Sequence, residues 1–262
     1  MLETTLMLET TRRQATDWLA IHVEDHTGRA ADLNQYWYSA ATIATLVDVL
    51  REHCLPMKQS ALDCAFVSTP SLFFALGSAE RSRSRLLEYD STLGEGEPNF
   101  VQYDYRQPCE LPVELKGAFT CVVIDPPFIT NDAWLLYVKT ARYLLAPGGR
   151  AVLTTVIENA QLLQEHLGVK PNRYLPAIPN LPYQYAVYTN FSAAKLDQTN
   201  PEVPHDPDTF LVAPSQLPSQ QSAAMEAPLR GAGHAYDFEA MIERELQRQA
   251  GVGGIGGEVG AD

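Results

Sequence analysis

The run Asp125-Pro126-Pro127-Phe128 follows directly on the apolar stretch Cys121-Val122-Val123-Ile124. These residue types suit one chemistry: holding an amine nucleophile in line with an electrophilic carbon, where alignment supplies much of the rate. Asp125 offers an acceptor to the hydrogens of the amine. Pro126 and Pro127 lack N–H groups and fix an extended backbone, so the stretch presents carbonyl acceptors in a rigid line. Phe128 supplies a flat wall that can stack on a base or cover a cationic amine. Without its surroundings, the tetrapeptide also reads as a Pro-rich turn after a strand. The elements around it decide between the two.

Between about residues 31 and 195, short β-rich runs alternate with amphipathic segments, the pattern of an α/β domain built on a mainly parallel sheet. Strands are expected at 63–67, 85–90, 99–104, 119–124 and 151–156, with two more near 173–176 and 183–188. Helices are expected at 71–76, with Thr69-Pro70 as cap and first turn, at 132–145, closed by a Pro147-Gly148-Gly149 turn, and at 158–167. In open α/β sheets ligands bind outside the carboxyl ends of the strands. Asp90, Asp104 and Asp125 fall at three such ends. Each alone is as readily a turn or cap residue, but as a set they line one edge of a cleft. The loop after the first strand, Ser68-Thr69-Pro70-Ser71, lacks the glycines that commonly let backbone approach a cofactor there.

The ends of the chain differ from this middle. Residues 1–30 are polar with helical spacing around Asp17-Trp18-Leu19-Ala20-Ile21, which predicts a short helix packed on the domain. From 196 to 262 the chain is rich in Pro, Ser, Gln and Gly, a composition that buries too little to offset chain entropy. A disordered tail is expected there, with one short helix at 236–249 carrying Phe238, Met241, Ile242 and Leu246 as an apolar stripe. No apolar stretch approaches the ~20 residues of a membrane span, and the N-terminus does not read as a secretory signal. The four cysteines, Cys54, Cys64, Cys109 and Cys121, show no metal-ligand spacing and fit a reducing, cytoplasmic setting. The 262-residue chain carries a formal charge of −13. That repels a phosphate backbone and favours a basic protein partner, so nucleic acid is not the expected substrate.

Taken together, the order of elements and several longer motifs resemble the eukaryotic lysine methyltransferases that modify translation elongation factor 1-alpha, earlier described as adenine-specific DNA methyltransferases for their DPP-aromatic motif. The resemblance spans about residues 31–191. It rests on Leu33-Asn34-Gln35-Tyr36-Trp37-Tyr38-Ser39 with Thr42, on Val67-Ser68-Thr69-Pro70-Ser71, and on Glu88-Tyr89-Asp90. Phe100 to Tyr105, Asp125 to Phe128, Glu165 to Lys170 and Tyr185 to Phe191 complete it. It implies a seven-stranded, Rossmann-like class I fold dependent on S-adenosylmethionine (SAM). Asp125, Pro126, Pro127 and Phe128 would form the amine site, with Asp125 also bordering the cofactor. Tyr36, Trp37, Tyr38, Ser39 and Thr42 would close over SAM, and Ser68 and Ser71 would lie near its methionine end. Glu88 or Asp90 would hold the ribose hydroxyls, and Asp104 and Tyr105 would flank the adenine. Core packing is the competing role for Trp37 and Tyr38, and plain strand alternation for Tyr103 and Tyr105. The expected activity is methylation of a lysine of elongation factor 1-alpha. The alternatives are methylation of the adenine amine in DNA or RNA, with the base flipped onto Phe128, and an inactive SAM-binding scaffold.

Overall fold

A computed structural model describes residues 2–22, 35–55, 62–179, 181 and 184–203. All of these fall in the compact unit Met1–Pro214. The anticipated tail helix at 236–249 lies outside the described residues, as do Leu33 and Asn34 of the lid motif.

The element order is α1 (Leu2–His22), α2 (Ala40–His53), β1 (Leu62–Val67), α3 (Pro70–Phe74), α4 (Ser78–Ser82), β2 (Arg85–Glu88), β3 (Phe100–Gln102), β4 (Phe119–Ile124), α5 (Asn131–Leu144), β5 (Leu145–Thr155), α6 (Ala160–Leu167), β6 (Lys170–Pro171) and β7 (Ala186–Thr189). The seven strands form one sheet in the order β3-β2-β1-β4-β5-β7-β6. The first five strands in the chain pair in parallel, and β7 lies antiparallel between β5 and β6. That order, with its single reversed strand, is the class I methyltransferase sheet.

Strand alternation divides the core in two. Cys64 and Phe66 of β1 and Cys121 and Val123 of β4 face α1, α2 and α3. Their neighbours Ala65, Val67, Val122 and Ile124 face α5 and α6. Both faces are covered, so β1 and β4 read as continuous apolar runs instead of alternating ones. The cysteines are free thiols, and burial pushes those of Cys64 and Cys121 well up. Among the described residues, no helix is long and apolar enough to cross a membrane, and no group of three or more His, Cys, Asp or Glu could hold a metal ion.

Several expectations need correction. The N-terminal helix is 21 residues long and docks through Trp18, which meets Trp37 edge-on at 5.0 Å and stacks on Phe74 at 6.1 Å. Ala15 is fully buried there. The fifth strand begins at Leu145 instead of Ala151, because Leu145 already pairs with Phe119 before a register shift at the Pro147-Gly148-Gly149 segment. The sixth strand is only Lys170–Pro171, ahead of the predicted position. Ordered packing also runs past Lys195. Leu196 is fully buried, its carbonyl accepts from Tyr174 N at 2.9 Å, and Asn200 Nδ2 donates to Leu175 O at 2.8 Å.

The boundary at 195 is therefore testable. Leu196→Ala should cost ~2–5 kcal/mol, the range for emptying a well-packed leucine site, as measured by urea unfolding. A variant as stable as the parent would show that the packing after Lys195 contributes nothing.

Candidate active site

The chain runs outward from β1 through β2 to β3, then returns to place β4 on the other side of β1. A reversal of this kind opens a crevice at the carboxyl ends of the strands. Ser68 follows β1 and Asp125 follows β4, with Asp125 N donating to Val67 O at 3.3 Å across the split. Asp125 is half-buried and Pro126 buried. The loop is pinned from above: Asn159 Nδ2 donates to Ile129 O at 2.9 Å and to Thr155 Oγ1 at 3.0 Å. Trp134 Nε1 donates to the same Thr155 hydroxyl at 2.9 Å.

Thr154 Oγ1 lies 2.5 Å from Asp125 Oδ1 and 2.5 Å from the Tyr38 hydroxyl. Burial raises the Asp125 carboxyl to about 7, against the opposing pull of Thr154 and Tyr38. Burial and the nearby Asp125 push the Tyr38 phenol well up, so it stays a hydrogen-bond donor. Tyr38 is 1% exposed, and its hydroxyl reaches the Asp125 end of β4 through Thr154.

The β1 loop solves its missing glycines in an unexpected way. Ser68 has φ +53°, the left-handed region that glycine enters without strain and other residues visit at a cost of ~1–3 kcal/mol. Its hydroxyl lies 3.1 Å from that of Tyr137. Tyr137 stacks flat on Tyr105, centroids 5.5 Å apart, and Tyr105 leans on Phe128 at 5.2 Å. An aromatic wall therefore runs from the β3 loop to the Asp125 loop. Ser71 is buried on the first turn of α3, and its hydroxyl makes no hydrogen bond among the described residues.

The acids at the end of β2 have separate duties. Asp90 Oδ1 caps the turn that follows, accepting from Thr92 N at 3.1 Å and Thr92 Oγ1 at 2.7 Å. Glu88 Oε1 accepts from Tyr89 N at 2.7 Å and Asp90 N at 3.2 Å, whereas its Oε2 has no donor among the described residues. Burial raises Glu88 to about 7, against those two amides, with the Asp90 charge adding to the rise. Glu88 is thus the better placed of the two for a ribose diol. Asp104 turns away to Arg106, 2.6 Å from its Nη2; although burial raises it, these bonds hold its carboxyl below the usual range.

The other residues expected to close over the cofactor make contacts within the fold. Ser39 Oγ caps α2, accepting from Thr42 N at 3.1 Å, and donates to Glu202 at 2.5 Å. Thr42 is fully buried, and its hydroxyl accepts from Ala177 N at 3.0 Å and Asn200 Nδ2 at 3.4 Å. Tyr36 is half-buried ahead of α2. Trp37 is 8% exposed, and its buried Nε1 has no acceptor among the described residues. The expected residues brought together at the crevice are thus Tyr38, Ser68, Tyr105 and Asp125 to Phe128, with Glu88 at the β2 end. Thr154, Tyr137 and Asn159 were not anticipated. Only strand register and helix placement, which pair residues far apart in the chain, reveal them.

This set fits SAM. Glu88 Oε2 suits a ribose diol, and the aromatic wall of Tyr105, Tyr137 and Phe128 suits the adenine.

A buried acid with a raised pKa binds protons more tightly folded than unfolded, so its charge destabilises the fold as pH rises from about 4 through 7. Glu88→Gln should therefore be ~1–3 kcal/mol more stable than the parent at pH 8, with the difference gone by pH 4. Urea melts at both values check this; equal stability at pH 8 would show that the carboxylate is not strained by burial.

Comparison with known proteins adds the lineage. The family model described as "Probable N6-adenine methyltransferase" matches residues 29–193. EEF1A lysine methyltransferase 1 of Gallus gallus is 30% identical over 166 residues, 62% of this chain and 75% of that protein. Its Homo sapiens counterpart is 27% identical over 165 residues, 62% of this chain and 74% of that protein. Protein-lysine N-methyltransferase EFM5 of Saccharomyces cerevisiae is 34% identical over 122 residues, 44% of this chain and 48% of that protein. With the sheet order and the crevice already in place, the match over the whole catalytic region makes the assignment direct: the chain is a methyltransferase and belongs to this family.

Proposed function

We propose that the chain methylates the ε-amine of a lysine on elongation factor 1-alpha in the cytoplasm, with SAM as methyl donor. The observation that carries the reading is the Asp125 carboxylate, held at the carboxyl end of β4 by Thr154 and walled by Tyr38. The names of the relatives at 30% and 34% identity supply the substrate class, and the net charge of −13 suits a basic protein partner.

Bound SAM supplies an electrophilic methyl. The protein's part is to present a neutral, aligned amine. Free lysine has a pKa of about 10.4, and a slot lined by Tyr38, Phe128 and prolines lowers it by desolvating the ammonium. Asp125 and the Pro126 carbonyl accept the amine's hydrogens and turn its lone pair toward the methyl. Tyr105 and Tyr137 hold the adenine end, and Glu88 the ribose. The adenine-amine reading takes support from the description of the family model; there the flipped base would stack on Phe128.

Labelled SAM offered with elongation factor 1-alpha, RNA and DNA in separate reactions distinguishes the readings: the label should enter the protein alone, and entry into RNA or DNA would overturn the lysine assignment. Asp125→Ala should reduce transfer at least ~100-fold, since misplacing a reacting group costs about that much. Its SAM affinity, measured by calorimetry, should stay within about tenfold, or ~1.4 kcal/mol. Transfer near the parent rate would remove Asp125 from the amine site.

A further inference from the structure

Strand β5 ends in two buried hydroxyls, Thr154 and Thr155. Thr155 is fully buried and takes its two donors from Trp134 and Asn159. Thr154 is 3% exposed and lies between Asp125 and Tyr38. Its position follows from register. Val123 pairs with Val152 and Ile124 with Leu153, so the next step brings Asp125 beside Thr154.

The hydrogen bonds have a direction. A threonine hydroxyl has one hydrogen and an ionised carboxylate only accepts. Thr154 therefore donates to Asp125 Oδ1, which leaves the Tyr38 hydroxyl to donate to Thr154 or to the Asp125 carboxyl itself. The geometry points to Thr154, backed by Tyr38, as the positioning residue that grips Asp125 Oδ1 and leaves Oδ2 to the substrate amine. This rests on the reading of Asp125 as the amine's acceptor. A donor on the ionised form also favours that form, so the same contact pulls the carboxyl back down against the burial that raises it. Of the titratable groups, Tyr38, from the segment ahead of α2, faces Asp125 directly. Tyr185, ahead of β7, faces Tyr38. Thr154 from β5 does not titrate.

The test is a set of full-length variants, Thr154→Val, Thr154→Ser and Tyr38→Phe, read by carbon-13 titration of the Asp125 carboxyl and by kcat/KM against pH. Thr154→Val should move the carboxyl midpoint up by about one unit or more and carry the acid limb of the rate profile with it. Its kcat should fall ~10- to 100-fold. Thr154→Ser should restore both, and Tyr38→Phe should move the midpoint the same way by less. A midpoint unchanged in Thr154→Val, or a serine variant that folds without restoring it, overturns the assignment. If the valine variant does not fold, the tyrosine variant decides: an unmoved midpoint overturns it and an upward shift supports it. Failure of the parent enzyme to methylate any lysine would count against the amine reading; the carboxyl titration would still decide the role of Thr154.

Discussion

A carboxylate half withdrawn from water at the end of a central strand is the constraint around which this site is organised. Burying an ionised acid is costly unless donors replace the lost water. At Asp125 the replacement comes from the Thr154 and Tyr38 hydroxyls, and burial still leaves the carboxyl at about 7. A fully satisfied carboxylate would have no reason to accept from a substrate. A starved one does. The strain is tolerated because β4 is paired on both edges and because Asn159 and Trp134 converge on Thr155 to hold the following loop.

The same logic recurs across the crevice. Glu88 is buried with one oxygen given to backbone amides, and Ser68 holds a positive φ without being glycine. Each is a local cost sited at the carboxyl edge of the sheet, where binding energy from a ligand can offset it. The opposite device operates away from the crevice. Arg51 meets Glu80 through two hydrogen bonds, at 2.6 and 2.8 Å, and Arg83 grips Asp63 at 2.7 and 2.9 Å. Those charges are paired and serve the framework.

What could be read from the sequence follows from how local each signal is. Strand β4 and its Asp-Pro-Pro ending were placed to the residue, because a continuous apolar run closed by prolines admits few other readings. Helix α1 was recognised only around Asp17 to Ile21, because among its described side chains only Thr11 and Ala15 are buried, while Leu6, Met7, Leu8 and Ile21 stay exposed, so it carries no strong apolar stripe. The roles of Ser39 and Thr42 depend on Glu202, Ala177 and Asn200, more than 130 residues away. Thr154 was invisible for the same reason: its partner is fixed by the β4–β5 register, which no local pattern encodes. Glu88 and Asp90 were left as equals until the turn at Ser91–Gly94 claimed Asp90.

The central claim is that the Asp125 carboxylate receives the substrate amine. A crystal structure of the protein with S-adenosylhomocysteine and a lysine peptide of elongation factor 1-alpha tests it most directly. The account predicts the lysine Nζ within hydrogen-bond distance of Asp125 Oδ2 and the Pro126 carbonyl, with Thr154 still on Oδ1. A lysine amine seated elsewhere, with Asp125 bonded only to the cofactor, would contradict it.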